Sequence, residues 1–238
     1  MLKTDNQILV TGASKGIGRA ITDKLCASGY SVTGIARNFS EQQTKLPGFK
    51  PYTIDLGDLD KLPASLEKIK NTGFSPSVLI LNAGMGLFGS LEEYSYQQIN
   101  SLMNVNFTSH AYITRFFLPI MKRAGRGTII FIGSDAGLSG SKRGTIYCAS
   151  KFALRGFAQA LRAECAKSGI GITIINPGMI KTDFYNDLDF EPGKAEENSI
   201  NIEAILDCIE LILASEDRTV IDEINLSPLK HVIHFKNK

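Results

Sequence analysis

Several features are missing from this 238-residue sequence, and their absence excludes whole classes of protein. The four cysteines form no C-x-x-C pair and show no metal-ligand spacing, so we expect neither a metal site nor a redox disulfide. No segment reaches about 18 uninterrupted apolar residues, so we expect no membrane span. The formal net charge of +2 is too small to indicate nucleic acid or an anionic membrane as a partner.

The two ends of the chain carry no targeting or binding signal. Residues 1–7 have no apolar core and no cleavage site, so we expect no signal peptide. The cysteine pattern is typical of a reducing compartment, and we therefore expect a cytoplasmic location. Cations cluster near the other end, where a solvated tail is the preferred interpretation of Lys230, His231, His234, Lys236 and Lys238.

What the sequence does contain is an alternation of short apolar runs and longer amphipathic stretches. It predicts an α/β fold in a single domain over residues 1–238, a Rossmann-type doubly wound parallel sheet with helices on both faces. The predicted strands, about seven in number, are 7–11, 31–36, 50–54, 77–82, 127–133, 171–176 and 220–226. The predicted helices are 16–28, 59–71, 96–123, 146–168 and 202–215. The stretch 181–199 has no periodicity, so we expect a mobile substrate loop there.

A glycine-punctuated turn follows the first predicted strand. Thr11 ends that strand, and Gly16 and Gly18 open the next helix, in the spacing G-x-x-x-G-x-G. Such a turn lets backbone N–H groups approach a pyrophosphate, and the N-terminus of the helix adds partial positive charge. The sequence therefore predicts a dinucleotide site, contacted from this turn by Gly12, Ser14, Lys15, Gly16, Ile17 and Gly18.

The end of the second strand indicates which dinucleotide is bound. NAD-binding proteins of this kind carry an acidic residue there for the ribose hydroxyls, whereas this chain has Ala36 followed by Arg37. The guanidinium of Arg37 is a rigid, permanently charged fork suited to a 2′-phosphate, and Lys15 adds a second cation. These residues favour NADP, the alternative being that both cations are only solvated loop residues.

Tyr147 and Lys151 are one helical turn apart and project from the same face of a predicted helix. At roughly 5 Å and an effective dielectric constant of about 20, an ammonium attracts a phenolate by about 3 kcal/mol, or roughly two pKa units. This attraction would bring the phenol toward the range useful for general acid–base catalysis. Ser134 lies thirteen residues upstream of Tyr147, at the end of a predicted strand.

Together these motifs resemble the short-chain dehydrogenase/reductase family, in its single-domain subfamily, over residues 7–226. The matching elements are Thr11-Gly-x-x-x-Gly-x-Gly18, Asp55, Asn82-Ala-Gly84, Asn106, Ser134, Tyr147-x-x-x-Lys151, Pro177-Gly178 and Thr182. Each element is weak alone, but their order and spacing are highly specific.

The resemblance implies a role for each catalytic residue. Tyr147 is expected to protonate the carbonyl oxygen during reduction and to remove the proton in the reverse direction. Lys151 is expected to lower the pKa of that tyrosine and to hydrogen-bond the nicotinamide ribose. Ser134 is expected to polarise the substrate oxygen, and Asn106 to hold a water that extends a proton relay from the lysine.

The resemblance also implies cofactor contacts beyond the glycine turn. Asp55 is similar to the adenine contact, Asn82 to a residue beside the adenosine ribose, and Thr182 to a ligand of the carboxamide. The implied set is Arg37, Asp55, Leu56, Asn82, Ala83, Gly84, Tyr147, Lys151, Pro177, Gly178, Ile180 and Thr182. Asp55 has the alternative role of a helix cap or turn residue.

The function that the resemblance implies is NADPH-dependent reduction of a ketone or aldehyde to an alcohol, or the reverse reaction (class EC 1.1.1.-). The implied partner is a small carbonyl or alcohol substrate. The family also implies a homodimer or homotetramer that pairs through the helices predicted at 96–123 and 146–168.

Three other functions fit the residues less well. A catalytically idle NADP-binding regulator should have lost Ser134, Tyr147 or Lys151, and all three are present. A reductase of 3-oxoacyl thioesters is disfavoured because residues 220–228 lack a Val-Asp-Gly-Gly signature. An epimerase or dehydratase of nucleotide sugars usually has a larger C-terminal substrate region.

The sequence does not identify the substrate, and two groups of residues near the predicted site each have two interpretations. Lys142 and Arg143 precede Tyr147, and they could pair with a substrate carboxylate or be solvated loop residues. An apolar set could form a pocket wall or belong to the core; it comprises Met85, Phe88, Met179, Ile180, Phe184 and Tyr185.

Overall fold

The computed structural model describes residues 7–215 and 219–236. The predicted absence of a signal peptide falls almost entirely on residues outside that range, as does the tail cation Lys238. Within the described ranges, no helix combines the length and apolar character that crossing a bilayer requires.

Nine strands are found in the described residues, and seven of them form a parallel sheet. Their bounds are Gln7–Thr11 (β1), Ser31–Ala36 (β2), Phe49–Thr53 (β3), Val78–Leu81 (β4), Gly127–Ile132 (β5), Ile170–Pro177 (β6), Phe190–Pro192 (β7), Glu223–Leu226 (β8) and Ile233–Phe235 (β9). The sheet order is β3-β2-β1-β4-β5-β6-β8, so the order reverses between β1 and β4. This is the doubly wound arrangement that the sequence predicts, and the fold prediction is confirmed.

Helices cover both faces of the sheet. They are Gly16–Ala27 (α1), Glu41–Thr44 (α2), Leu62–Lys70 (α3), Tyr96–Met103 (α4), Ser109–Ala124 (α5), Thr145–Glu164 (α6) and Ile202–Ala214 (α7). Successive strand side chains point to opposite faces, which divides the core into two. Leu9 and Leu79 pack with α3, α5 and α6, whereas Ile8, Val10 and Ile80 pack with α1 and α7. The runs are apolar throughout because both faces are buried.

The helix predicted over 96–123 is interrupted. Between α4 and α5 lies a π-helical turn, Asn104–Thr108, in which Asn106 is fully buried. Single π-helical turns inside α-helices occur frequently at functional sites. The interruption therefore coincides with a residue that the sequence assigns to catalysis.

The stretch 181–199 has more secondary structure than the sequence indicates. It contains two 3-10 helices, Asp183–Tyr185 and Glu196–Asn198, and strand β7 between them. Strand β7 pairs antiparallel with β9, which the sequence assigns to a solvated tail. The tail interpretation is wrong for Lys236, whose backbone N–H donates to the Asp189 carbonyl over 2.8 Å. The mobility of the loop stays a prediction.

Candidate active site

The candidate site lies at the edge of the sheet where the carboxyl ends of neighbouring strands meet. Thr11 ends β1, Asn82 follows β4, Ser134 lies just beyond β5, and Gly178 follows β6. These four strands are neighbours, so all four predicted site segments come together. In an open parallel sheet, ligands bind at this edge, next to the point where the strand order reverses.

The glycine turn leaves the start of α1 open to a ligand. Gly16 has a φ of +55°, and a Cβ on Gly18 would lie only 2.2 Å from the Gly12 carbonyl oxygen, so both positions require glycine. No side chain caps α1, and its first turn holds no acidic residue. The N–H groups of that turn are therefore available to a phosphate, as the motif predicts.

A buried glutamine from another segment, Gln43, stabilises the glycine turn. The side-chain amide of Gln43 donates to the carbonyl oxygens of Ala13 and Ser14, over 3.2 and 3.1 Å. Gln43 lies in α2, and Ser40 and Gln43 form a capping box that fixes this short helix. The S-x-x-Q pattern could have predicted the helix, but not its contact with the glycine turn.

The two predicted phosphate-binding cations lie at neighbouring positions. The backbone N–H groups of Gly12 and Ala13 both donate to the Ile35 carbonyl, over 2.8 and 3.3 Å. The turn that carries Lys15 is thereby tied to the end of the strand that precedes Arg37. Both side chains are exposed, and neither forms an ion pair with a residue in the described ranges. This donor set fits the phosphates of a nicotinamide dinucleotide.

Asn82 and Asp55 both shape the backbone at this edge. The Asn82 amide donates to the Thr11 carbonyl over 3.0 Å, which joins the end of β4 to the glycine turn. Asp55 accepts a hydrogen bond from the Gly57 N–H over 2.8 Å, in the manner of a turn residue. The cofactor contacts that the resemblance implies for both residues stay predictions.

Ser134, Tyr147 and Lys151 are brought together and are almost fully buried, with exposures of 8%, 8% and 5%. The Lys151 ammonium lies 5.8 Å from the centre of the Tyr147 ring. It donates a hydrogen bond to the Ile132 carbonyl over 3.2 Å. The Ser134 hydroxyl donates to Asp135 over 3.0 Å. The three residues thus lie together at one small, buried site.

Burial changes the acidities of this pair in the direction opposite to the sequence prediction. It raises the pKa of Tyr147 to about 12, because the loss of water around the phenolate outweighs the hydrogen bond with Ser134. Burial lowers the pKa of Lys151 to about 8. The prediction of a lowered tyrosine pKa is wrong for this structure, because it counted the ammonium's attraction but not the desolvation of both charges.

Asn106 fixes the position of the loop that follows β4. Its side-chain amide accepts from the Met85 N–H over 2.8 Å and donates to the Met85 carbonyl over 3.0 Å. The same NH₂ group donates to Ser150 over 3.1 Å, and Ser150 donates to the Tyr147 carbonyl over 2.7 Å. Asn106 therefore links this loop to the helix of the catalytic tyrosine, and its predicted water remains untested.

Arg143 has a partner within the chain. Its guanidinium lies 3.1 Å from the Asp189 carboxylate, in the loop that follows β6. This ion pair disfavours, for Arg143, the alternative in which Lys142 or Arg143 pairs with a substrate carboxylate. Asp135 is also close to this tyrosine, because its negative charge contributes to the raised pKa of Tyr147. Tyr147 thus has one anion, Asp135, and one cation, Lys151, near it.

The predicted apolar set divides into core and pocket wall. Met179 and Ile180 are buried, whereas Phe88 and Phe184 pack against Tyr147. Their ring centres lie 4.9 and 6.1 Å from that of Tyr147. The first two belong to the interior, and the two phenylalanines form part of a wall at the site.

Sequence reasoning missed four residues that shape the site, namely Gln43, Asp135, Ser150 and Phe190. Asp135 directly follows Ser134, and Ser150 directly precedes Lys151. Their proximity to the predicted catalytic residues in the sequence could therefore have indicated them. Gln43 and Phe190 act through contacts between distant segments, and nothing in their local sequence indicates those contacts.

His110 makes the stability of the protein sensitive to acid. This residue of α5 is fully buried, and desolvation, with a contribution from Lys151, lowers its pKa to about 3. Below about pH 6.5 the unfolded chain binds a proton there that the folded chain rejects, so the free energy of unfolding falls by about 1.4 kcal/mol per pH unit. We expect His110→Leu to reduce the loss of stability between pH 7 and 5 by about 2 kcal/mol.

Urea unfolding of both proteins at each pH measures this difference. His231→Leu, at an exposed histidine, is the matched control and should leave the pH dependence unchanged. An unaltered pH dependence in His110→Leu would contradict the assignment.

Comparison with known proteins places the chain in a family. The family model for short chain dehydrogenases matches residues 6–191. This match covers most of the sequence and includes the glycine turn, Asn106, Ser134, Tyr147 and Lys151. The chain belongs to the short-chain dehydrogenase family of oxidoreductases.

Individual relatives agree with this assignment. The chain is 34% identical over 177 residues to a 3-ketodihydrosphingosine reductase of Bacteroides thetaiotaomicron, with 74% of the chain and 65% of that reductase covered. It thus spans slightly less than two thirds of that relative. It is 32% identical over 202 residues to the 3-oxoacyl-[acyl-carrier-protein] reductase FabG of Buchnera aphidicola, covering 83% of the chain and 82% of FabG.

Solved structures show the same fold over nearly the whole chain. The NADP-bound structure of ElxO superposes with a TM-score of 0.80 at 25% sequence identity, covering 94% of this chain and 97% of that one. The likeness extends beyond residue 191, where the family model ends.

Proposed function

We propose that this protein is an NADPH-dependent oxidoreductase that reduces a ketone or aldehyde to an alcohol, or catalyses the reverse reaction. The observation that carries the proposal is the joint burial of Ser134, Tyr147 and Lys151 at the carboxyl edge of the sheet. The uncapped start of α1 lies at the same edge and suits a dinucleotide phosphate.

The chain's own residues manage the proton in this reaction. When bound, the cofactor supplies the hydride that adds to the carbonyl carbon. Tyr147 donates its proton to the carbonyl oxygen, and its raised pKa keeps the phenol protonated at neutral pH. When substrate binds, the Ser134 hydroxyl turns from the Asp135 carboxylate to donate to the same oxygen, where negative charge develops.

Lys151 is suited to return a proton to this site. Burial lowers its pKa to about 8, so that it exchanges protons readily near neutral pH. The proton lost by Tyr147 is then replaced through the ammonium, and Asn106 holds the adjoining loop in place beside it. This proton transfer accounts for why Tyr147 and Lys151 are buried together.

Arg37 and Lys15 support NADPH over NADH as the cofactor. Both cations are exposed at the end of β2 and in the glycine turn, and Ala36 supplies no carboxylate for a ribose hydroxyl. The ElxO structure, which is NADP-bound, has the same fold. The predicted homodimer or homotetramer stays a prediction, with Phe152 of α6 exposed on one of the helices concerned.

The charges at the site support an uncharged substrate. The Asp135 carboxylate lies beside Ser134, and Arg143, one of the two cations considered for a substrate carboxylate, is paired with Asp189. A substrate carboxylate close to Ser134 would therefore meet the negative charge of Asp135, while the Lys151 ammonium is engaged by the Ile132 carbonyl. The thioester reductase activity in the name of FabG also concerns a carbonyl group, which keeps such substrates as the second candidate.

A matched pair of ketones tests both the reaction and the charge preference. We expect oxidation of NADPH with 4-oxopentanamide, at a kcat/KM about tenfold above that with 4-oxopentanoate, because two like charges this close repel appreciably. Asp135→Asn should bring the ratio of the two kcat/KM values, amide to carboxylate, toward one. Absorbance of the reduced nicotinamide at each ketone concentration gives both constants.

Asp187→Asn is the control for this substitution, since Asp187 is an exposed aspartate in the loop that follows β6 rather than beside Ser134. It should leave the ratio unchanged. A preference for 4-oxopentanoate would instead restore the interpretation in which Arg143 binds a substrate carboxylate. If no carbonyl compound in a broad panel leads to oxidation of NADPH, the proposed function itself is contradicted.

A further inference from the structure

Five aromatic rings form a closed circuit that includes the catalytic tyrosine. We call it the aromatic circuit; its members are Phe88, Tyr147, Phe184, Tyr185 and Phe190. Successive ring centres lie between 4.9 and 6.1 Å apart around the whole circuit. Its members come from the loop after β4, from α6, from a 3-10 helix and from β7.

Phe190 closes this circuit between Phe88 and Tyr185. Its ring lies 4.9 Å from Phe88, in an edge-to-face arrangement, and 5.9 Å from Tyr185. Phe88 in turn lies 4.9 Å from Tyr147. The position of Phe190 therefore sets the shape of the apolar wall beside the reacting hydroxyl.

The strand that carries Phe190 is too short to be stable alone. Strand β7 has three residues and, among the described strands, pairs only with β9; an isolated two-stranded ribbon is marginal in water. Two backbone bonds extend the same pairing by one residue at each end, from Gly193 to the Val232 carbonyl and from Lys236 to the Asp189 carbonyl, over 2.9 and 2.8 Å. Side-chain contacts must therefore add to its stability.

Lys236 adds side-chain bonds to the same loop. Its ammonium donates to the carbonyl oxygens of Tyr185 and Asn186. It thereby holds the 3-10 helix that carries Phe184 and Tyr185, while its backbone holds the residue before Phe190. A second lysine, Lys230, pairs with Glu197 further along the loop over 2.5 Å.

We propose that Phe190 determines specificity for substrates with an aromatic group beside the carbonyl, and that Lys236 is the positioning residue that holds Phe190 in the wall. This inference rests on the proposed function and adds the substrate class. Four phenyl or phenol rings beside Tyr147 offer faces and edges on which another aromatic ring packs favourably. Preformed by Lys236, the wall does not have to be ordered when the substrate binds.

Acetophenone and 2-butanone distinguish this role from a structural one. We expect Phe190→Ala to lower the ratio of kcat/KM for acetophenone to that for 2-butanone about tenfold, mainly through the KM of acetophenone. Lys236→Ala should lower the same ratio about threefold, with the affinity for NADPH unchanged. Lys236→Arg keeps the charge and the donors, and it should restore the ratio.

The double variant tests whether Lys236 acts through Phe190. In Phe190→Ala/Lys236→Ala the ratio should equal that of Phe190→Ala alone, because the lysine then has no wall residue to position. Lys24→Ala is the control: Lys24 joins two other segments, α1 and α7, through an ion pair with Glu210 over 2.9 Å, and neither residue belongs to the aromatic circuit. Additive effects in the double variant, or an unchanged ratio in Phe190→Ala, would overturn the proposal.

A binding measurement separates this proposal from the proposed function. Calorimetry with NADP⁺ present should show benzyl alcohol binding more tightly than 1-propanol, and Phe190→Ala should abolish the difference. If no carbonyl compound is reduced but this preference holds, the proposed function fails and the aromatic site stands. If ketones are reduced and wild-type protein shows no preference for benzyl alcohol, the aromatic site is wrong.

Discussion

Replacing Tyr147 with phenylalanine should lower turnover in carbonyl reduction at least about 100-fold, while NADPH binding is largely retained. The substitution removes only the hydroxyl that donates the proton and keeps the ring that packs against Phe88 and Phe184. Steady-state kinetics and a fluorescence titration with NADPH measure the two effects.

Tyr30→Phe is the matched control for this experiment. Tyr30 lies just before β2, on the core side served by α1 and α7, far along the chain from the catalytic helix. It should leave turnover and cofactor affinity unchanged. Wild-type turnover in Tyr147→Phe would refute the role of Tyr147 as general acid.

Removing both cations at the end of β2 should have the second large effect. We expect Lys15→Ala/Arg37→Ala to weaken NADPH binding about 100-fold and to change NADH binding by less than about threefold, because charge-assisted hydrogen bonds to a phosphate are the strong ones. Both side chains are exposed, so the fold should tolerate their removal. Fluorescence titrations with each nucleotide give the two affinities.

A second pair of cations provides the control. Arg126 and Lys167 are exposed and precede β5 and β6, at the opposite edge of the sheet. Their replacement by alanine changes the net charge equally and should leave both affinities unaltered. Equal losses of NADPH and NADH affinity in Lys15→Ala/Arg37→Ala would instead indicate that the turn itself was disturbed and that the 2′-phosphate assignment is wrong.

The main sheet was predictable because its signals are local. Each strand buried on both faces is a continuous apolar run, as in Val78–Leu81, and each helix has its own periodicity. The two strands that sequence reasoning missed, β7 and β9, have only three residues each and depend on one another. Neither has a pattern that stands out, and their pairing joins segments about 40 residues apart.

In the candidate site, too, the features with local sequence signals were predictable and those that depend on tertiary contacts were not. The glycine turn, Ser134, Tyr147 and Lys151 belong to motifs with fixed spacing, and the structure brings them to one edge of the sheet. The acidity of Tyr147 was not predictable, because it depends on how completely tertiary packing removes water from the phenol. The ion pair of Arg143 with Asp189 was not predictable either, because it depends on tertiary packing of residues 46 positions apart in the sequence.

The central claim is that the Tyr147 hydroxyl transfers a proton to a carbonyl oxygen while reduced nicotinamide transfers a hydride to the carbonyl carbon. A crystal structure with NADPH and an unreactive amide analogue of the substrate tests this most directly. The account predicts hydrogen bonds from Tyr147 and Ser134 to the amide oxygen, with its carbon next to C4 of the nicotinamide. An analogue bound elsewhere, with the Tyr147 hydroxyl directed into the packed interior, would contradict it.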